Sequence, residues 1–113
     1  MPRKPRIEFP GAFYHVISRG NNRQTIFEDK KDFEEFLQSI AVTRERFPFN
    51  IYAYVLMTSH FHLLIETQEI QLSVIMRSIL TRYSRTFNRR HRKIGHLFAA
   101  RYKAILCQKD TYL

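Results

Sequence analysis

Residues 59–67 restrict the fold of this chain more than any other stretch, because polar and apolar side chains alternate along them. Successive side chains of a β-strand point to opposite faces, so residues two apart share a face. One face comprises Phe61, Leu63 and Ile65, and the more polar face comprises His60, His62, Leu64 and Glu66. The segment therefore predicts a strand in a sheet that buries one face and leaves a more polar face on the other side.

The surrounding sequence predicts two helices and three further strands. Hydrophobic residues make up 44% of the 113 residues, which is enough for the core of one domain, residues 1–113. Periodicity and turn signals place strands at 12–19, 49–57, 59–67 and about 102–107, and helices at 29–47 and 72–87. This order predicts a ferredoxin-like α+β fold, β-α-β-β-α-β, with both helices on one face of an antiparallel sheet.

Basic residues are concentrated in one part of the chain. The formal net charge is +9, and ten of the nineteen Lys and Arg residues lie between Glu69 and Asp110, where no acidic residue occurs. The rest of the chain has nine basic and ten acidic residues. A field of one sign confined to one region indicates a polyanionic partner. The alternative is a solvated basic face without a partner.

Several functional classes are disfavoured by what the sequence lacks. Cys107 is the single cysteine, so no intrachain disulfide can form, and we interpret it as a small apolar residue of a strand. No apolar run approaches the length of a membrane span, and the N-terminus does not resemble a signal peptide. The sequence therefore predicts a cytoplasmic protein that does not contact membranes.

The second predicted helix has two different sides. Its apolar stripe is formed by Leu72, Ile75, Met76, Ile79, Leu80, Tyr83 and Phe87. Arg82, Arg85 and Arg89 recur on the opposite side, so the helix is expected to pack with one face and to present arginines on the other. We predict that these arginines, with Arg90, Arg92 and Lys93, contact phosphates, which makes binding sensitive to salt.

The two histidines of the third strand are candidate metal ligands. His60 and His62 project side by side from one face, and two neighbouring imidazoles suit a shared divalent ion, either Mg²⁺ or Mn²⁺. Phosphate oxygens of a substrate can complete the coordination, and the ion can polarise a phosphodiester. The nucleophile is then a tyrosine hydroxyl or water. A pair of structural or surface histidines is the alternative interpretation.

Four ordered blocks of the sequence resemble a known family. They are YHVISRGNNR at 14–23, LMTSHFHLL at 56–64, YSRTFNRRH at 83–91, and GHLF at 95–98 followed by RYK at 101–103. In this order and spacing they resemble the single-tyrosine HUH transposases, named for the motif His-hydrophobic-His. Within that group the sequence is most similar to the REP-associated tyrosine transposases. Ser59 is a departure, because the family often has Asn before the first histidine.

The resemblance implies a ferredoxin-like fold and a divalent metal held by His60 and His62. It implies binding of single-stranded or hairpin DNA, and cleavage and rejoining of one strand through a covalent phosphotyrosine. With the basic segment, it predicts these DNA contacts: Arg19, Asn21, Asn22, Arg23, Arg82, Arg85, Arg89, Arg90, Arg92, Lys93, Arg101 and Lys103. The oligomeric state is left open between a monomer and a homodimer.

The resemblance also implies where the nucleophile belongs. In the family, the tyrosine lies on a further helix after the fourth strand, in the arrangement Tyr-x-x-x-Asn, which places both side chains on one helix face. This chain reaches Leu113 where that helix is expected to begin, so the catalytic tyrosine is expected beyond Leu113, and Tyr112 is not assigned as catalytic. We therefore expect DNA binding, with strand transfer impaired or absent in this chain, and leave enzymatic activity open.

Other polar side chains have two interpretations each. His15 can face the paired histidines or pack at an edge, and Glu66 can support them or be solvated. Tyr52 and Tyr54 are predicted to share a face, where they would stack on bases or cover the sheet. His91 and His96 flank the basic connection and are interpreted as phosphate contacts or exposed residues. Tyr83 lies on the apolar stripe and is predicted to be part of the core.

Three functions follow from these patterns. The first is a transposase-type nuclease domain, which requires divalent metal binding that is lost in His60→Ala. The second is a non-catalytic DNA-binding regulator of the same fold, whose DNA binding is unaffected by His60→Ala and by chelators. The third is an RNA-binding ferredoxin-like module without a metal site, which the absence of an RNP-like aromatic motif disfavours.

Overall fold

The computed structural model describes residues 9–99 and 101–108. Tyr112, Leu113 and the expected start of a further helix lie outside the described residues. The strands are β1 (Phe13–Arg19), β2 (Phe49–Met57), β3 (His60–Thr67) and β4 (Lys103–Cys107), and the helices are α1 (Lys30–Arg46) and α2 (Leu72–His91). A short 3₁₀ turn, Asn21–Arg23, follows β1. The predicted β-α-β-β-α-β order is confirmed.

All neighbouring strands of the sheet are antiparallel, and their spatial order is β2-β3-β1-β4. This is the arrangement of a ferredoxin-like fold, in which β1 and β3 are central and both edges are formed by the other two strands. The helices cover one face of the sheet, where Val16, Phe61, Leu63 and Ile65 are fully buried among apolar residues of the two helices. The opposite face, which we call the open sheet face, has no helix over it in the described part of the chain.

Local sequence explains where the helices begin and how they pack. Asp29 caps α1, because its side chain accepts a hydrogen bond from the backbone N–H of Asp32 at 2.9 Å. Phe36 of α1 and Tyr83 of α2 pack edge to face, with ring centroids 5.3 Å apart. Tyr83 is completely buried and donates its hydroxyl to the carbonyl of Ile26, so the predicted core position is confirmed. Burial raises the pKa of Tyr83 far above its usual range.

The helices of the described residues do not combine the length and apolar character that crossing a bilayer requires.

Candidate metal and nucleic-acid site

The register of β1 and β3 assembles the open sheet face. His60 pairs with Arg19, and His62 pairs with Ile17, which in turn pairs with Lys103 of β4. Directly paired residues of neighbouring strands point to the same face. Two predicted DNA contacts, Arg19 and Lys103, therefore share this face with the two histidines. Both cationic side chains are exposed.

His60 and His62 lie side by side, as the alternation predicts. Their ring centroids are 5.3 Å apart, the rings meet at 78°, and both residues are partly exposed. Burial lowers the pKa of His62, and the neighbouring charges of His15 and His60 lower it further. A lowered pKa favours the neutral imidazole, which is the form that ligates a metal. The geometry of the pair and the lowered pKa of His62 thus fit a divalent cation, and metal binding itself stays a prediction.

His15 joins this pair from β1. Its Nε2 lies 2.9 Å from Nδ1 of His62, and the two ring centroids are 5.1 Å apart. Of the two interpretations left open by the sequence, the structure favours the one in which His15 faces the paired histidines. Leu64 of β3 and Ile105 of β4 are its direct neighbours across the strands, so His15 lies between two aliphatic residues on this face.

Glu66 is in phase with the histidines but is engaged elsewhere. Its Oε1 accepts hydrogen bonds from the hydroxyl of Tyr52 at 2.7 Å and from Nδ2 of Asn50 at 3.0 Å. These contacts fix the carboxylate against β2. The interpretation of Glu66 as a support for His60 and His62 is therefore not favoured by the geometry.

The prediction that Tyr52 and Tyr54 share a face is wrong. A bulge in β2 between Ile51 and Ala53 shifts the alternation by one residue. Tyr52 reaches Glu66 and packs its ring against Phe13 on the open sheet face, with centroids 5.3 Å apart. Tyr54 instead pairs with Leu63, whose side chain points to the helices, so the two tyrosines do not form one stacking platform.

A second basic surface lies on the outer side of α2, and we call Arg77, Arg82, Arg85 and Arg89 the arginine surface. All four are exposed. Between α2 and the end of α1 they line a groove of about 520 Å³ together with Arg46 and Phe47. Sequence reasoning did not assign Arg77 or Arg46 to a site, although Arg77 lies two helical turns before Arg85 on the same side. The apolar stripe of α2 separates this surface from the sheet.

A larger groove of about 820 Å³ lies between α2 and the connection to β4. Its described lining residues include Arg77, Arg85 and Arg101 and contain no carboxylate. Asn21 also lines it, so the turn after β1 meets this groove. Its size and its unopposed positive charge suit a segment of a phosphate backbone.

The turn after β1 is held by backbone contacts. Asn22 and Arg23 have φ of 53° and 59°, in the left-handed region that non-glycine residues rarely adopt. The N–H of Asn21 donates to the carbonyl of Leu97 at 2.8 Å, which ties the turn to the segment before β4. A Cβ at Gly20 would lie 2.1 Å from the carbonyl oxygen of Gln24, so only glycine fits there. Asn22 and Arg23 are exposed.

Two predicted DNA contacts, Arg90 and Lys93, are paired with acidic residues in the structure. Arg90 donates to Asp32 and to Asp29, and Nζ of Lys93 lies 3.3 Å from Oε2 of Glu28. Nε2 of His91 lies 2.8 Å from Oδ2 of Asp32, which is completely buried. We call this the helix junction, because it joins the start of α1 to the end of α2. Its members are Glu28, Asp29, Asp32, Arg90, His91 and Lys93.

The helix junction also brings metal-ligand atoms together. Atoms of Asp29, Asp32 and His91 lie within 4.8 Å of one another, the single such group of three among the described residues. The guanidinium of Arg90 already contacts both carboxylates, and it holds the pKa of Asp29 below its usual range. The positively charged guanidinium of Arg90 therefore occupies the position that a metal ion would take. Arg92, by contrast, is exposed at the end of α2.

These observations define a class: a ferredoxin-like domain with paired histidines on an open sheet face and a basic helix behind it. Residues 9–113 match the family described as "Transposase IS200 like". The chain belongs to the IS200-like transposase family.

Solved structures agree with this assignment at the level of the fold. A REP-associated tyrosine transposase bound to a REP hairpin superposes with a TM-score of 0.79 at 16% identity, covering 99% of this chain. The present chain spans 66% of that protein. A proposed transposase from Deinococcus radiodurans R1 superposes with a TM-score of 0.69 at 15% identity, covering 98% of this chain and 90% of the other. Among curated proteins, no sequence matches this chain.

Proposed function

We propose that this chain is the metal-holding and DNA-binding part of a transposase that cleaves and rejoins one strand of single-stranded or hairpin DNA. The proposal rests on one observation above all: His60, His62 and Arg19 lie together on a sheet face that no described helix covers. The similarity in fold to a transposase bound to a REP hairpin supports hairpin DNA as the partner.

The open sheet face is where the scissile phosphate would lie. His60 and His62 would hold Mn²⁺ or Mg²⁺ through neutral imidazole nitrogens, and such an ion polarises a phosphodiester and stabilises the charge that develops on its oxygens. Arg19 and Lys103 would contact phosphates on either side and fix the position of the strand. The nucleophile that attacks this phosphate would be a tyrosine hydroxyl or water.

The arginine surface would hold a different part of the DNA. Arg82, Arg85 and Arg89 contact no acidic side chain among the interactions of the described residues, so their charges are available to phosphates. Arg101 extends this basic surface along the larger groove, which Arg77 and Arg85 also line. Phosphate contacts of this kind give affinity without sequence selectivity. The stem of a hairpin, which presents two phosphate backbones, is the part of the substrate that such a surface suits.

A non-catalytic DNA-binding regulator is the second candidate. The observation that favours it is the separation of the two surfaces, because the arginine surface does not include the paired histidines. Such a protein would bind DNA with or without a divalent metal.

A titration with Mn²⁺ distinguishes the two. Free Mn²⁺ is measured by electron paramagnetic resonance with the wild-type chain, His60→Ala and His62→Ala. His96→Ala is the matched control, because His96 is exposed on the larger groove, away from the sheet face. We expect Mn²⁺ to bind the wild type and His96→Ala, and both sheet variants to lose at least about tenfold in affinity. Equal Mn²⁺ binding by all four proteins would contradict the metal site.

Binding of a fluorescent DNA hairpin is measured on the same proteins by anisotropy, with an RNA hairpin of the same sequence as competitor. The transposase proposal expects DNA to be bound by all four proteins and to be preferred over RNA. Preference for the RNA hairpin would contradict DNA as the substrate. DNA binding by a wild type that takes up no Mn²⁺ would support the regulator.

A further inference from the structure

The contact between His15 and His62 joins two ring nitrogens directly. Nε2 of His15 and Nδ1 of His62 are 2.9 Å apart, a normal hydrogen-bond distance. Both residues are partly buried, and their surroundings include Ala53, Val55 and Leu64, which with the two rings line an apolar pocket of about 380 Å³. In apolar surroundings a hydrogen bond between neutral groups is strengthened, and two adjacent charges would be costly. At this distance one of the two nitrogens carries a proton and donates it, and the other accepts it.

The direction of this bond decides whether His62 can ligate a metal. A neutral imidazole carries one N–H donor and one bare nitrogen acceptor. If His15 donates to Nδ1 of His62, then Nε2 of His62 carries the proton and has no lone pair for a cation. If His62 donates from Nδ1, its Nε2 is bare. Only the second arrangement is compatible with metal ligation through Nε2, the ring nitrogen that this contact leaves available.

We propose that His15 is a positioning residue that accepts the Nδ1–H of His62 and so keeps Nε2 of His62 bare and turned outward for a divalent cation. This role rests on the proposed metal site of His60 and His62. His15 acts through His62 and does not itself touch the cation or the DNA. Partners of this type, which accept the second ring N–H of a ligating histidine, orient the ring and raise its basicity.

The spacing of the three histidines argues against the simpler idea that all of them ligate one ion. Among the described residues, the group at the helix junction is the single set of three side chains whose ligand atoms all lie within 4.8 Å. His15, His60 and His62 are not such a set, although each neighbouring pair of rings is in contact. In addition, Nδ1 of His62 faces His15 and not a shared centre. A hydrogen-bonded support accounts for this arrangement better than a third ligand.

The proposal is tested first without metal. Long-range ¹H–¹⁵N correlation spectra of the histidine rings in the metal-free chain identify which nitrogen of His62 carries the proton. We expect Nδ1–H and a bare Nε2 in the wild type. The same pattern is expected in His15→Gln, whose side-chain carbonyl can accept the same hydrogen bond. In His15→Phe, which keeps a ring but has no acceptor, we expect a mixture of tautomers or Nε2–H.

Mn²⁺ affinity is the second measurement. Loss of a supporting partner of a ligating histidine costs about 10- to 100-fold in metal affinity, so His15→Phe is expected to bind Mn²⁺ that much more weakly. His15→Gln is expected to recover most of the loss. Ile105→Ala is the control for packing, because Ile105 is the neighbour of His15 on β4 and makes no such hydrogen bond. Circular dichroism of each variant establishes that it is folded, and the tautomer of His62 in the wild type carries the test if His15→Phe is not.

The outcomes separate this role from the proposed function. A wild type that binds Mn²⁺ while Nε2 of His62 carries the proton in the metal-free chain would overturn the role of His15 and leave the metal site intact. Equal Mn²⁺ affinity in the wild type and a folded His15→Phe would do the same. A wild type that binds no Mn²⁺ would contradict the proposed function, and the role of His15 with it.

Discussion

The open sheet face and the arginine surface are both basic, but they are built in different ways. On the sheet face, strand register places each group, so His60 faces Arg19 and His62 contacts His15 at fixed distances. On α2, four arginines extend into solvent from a helix whose other side is buried. The sheet face has few charges in defined positions, whereas the helix has many charges on flexible side chains.

Under the proposed function, the two surfaces have different roles. Chemistry on a phosphodiester needs groups held in fixed geometry, which paired strands provide. Affinity for a polyanion needs charge, which long side chains on an exposed helix provide at little structural cost. Because the helical layer and the sheet lie between them, one phosphate cannot meet both surfaces. A DNA molecule in contact with both must pass around the edge of the domain, as the stem and the strand of a hairpin can.

Removal of positive charge from α2 should have the largest effect and should act on one surface alone. Arg82→Ala/Arg85→Ala is expected to weaken hairpin DNA binding and to lower the slope of log affinity against log salt by about two units, roughly one for each phosphate contact. Mn²⁺ affinity is expected to stay within about twofold, because these arginines do not touch the sheet face. Fluorescence anisotropy across a salt series measures the slope.

Lys30→Ala/Lys31→Ala is the matched control for that change. It also removes two positive charges from an exposed helical turn, but neither lysine lines a groove next to α2. If both double variants lower the slope equally, net charge and not the arginine surface determines binding.

Much of the sheet face was predictable from sequence, because a period of two fixes which residues share a face. His60 and His62 needed no register to be placed together. For His15 and Arg19 the same alternation gives a common face within β1, but only the pairing of β1 with β3 brings that face to the histidines. Register depends on contacts between distant segments, which a single sequence does not display. The bulge that separates Tyr52 from Tyr54 was unpredictable for the same reason.

The basic segment shows a different limit of sequence reasoning. In the sequence it is one continuous block of positive charge, but in the fold its residues lie in three different places. Lys103 lies on the sheet face, Arg82 and Arg85 lie on the arginine surface, and Arg90 enters the helix junction. Arg89 and Arg90 are adjacent, yet one is solvated and the other contacts two aspartates. The two side chains leave α2 in different directions, and only Arg90 reaches the aspartates at the start of α1. The charge composition of the segment does not reveal this difference.

The helix junction offers a change that should lower stability and leave both surfaces intact. Asp32 is completely buried against Arg90 and His91 and also accepts the N–H of Glu28 at 2.8 Å. Asp32→Ala removes the carboxylate that accepts hydrogen bonds from Arg90 and from the N–H of Glu28, so it is expected to lower the free energy of unfolding by roughly 2 kcal/mol. Urea unfolding followed by circular dichroism measures it, with Glu34→Ala, an exposed change on α1, as the control.

An unfolding free energy within experimental error of the wild type would show that the junction does not join the helices. DNA binding and Mn²⁺ binding of the folded fraction of Asp32→Ala should both be retained, because the junction belongs to neither surface. Selective loss of Mn²⁺ binding would instead mean that this acidic group, and not the sheet face, holds the metal.

The smallest expected effect separates Arg90 from its neighbour Arg89 through pH. The hydrogen bond from Arg90 is the main cause that lowers the pKa of Asp29 below its ordinary value of 3.8. A carboxylate whose folded pKa is lowered stabilises the fold above its unfolded pKa, and this contribution is lost as the pH falls through the folded value. Arg90→Ala should therefore have a lower urea midpoint than Arg89→Ala at pH 7, and the gap should narrow below pH 3.8. A gap that stays constant with pH would mean that Arg90 stabilises the junction by packing, and that its charge is as available to DNA as that of Arg89.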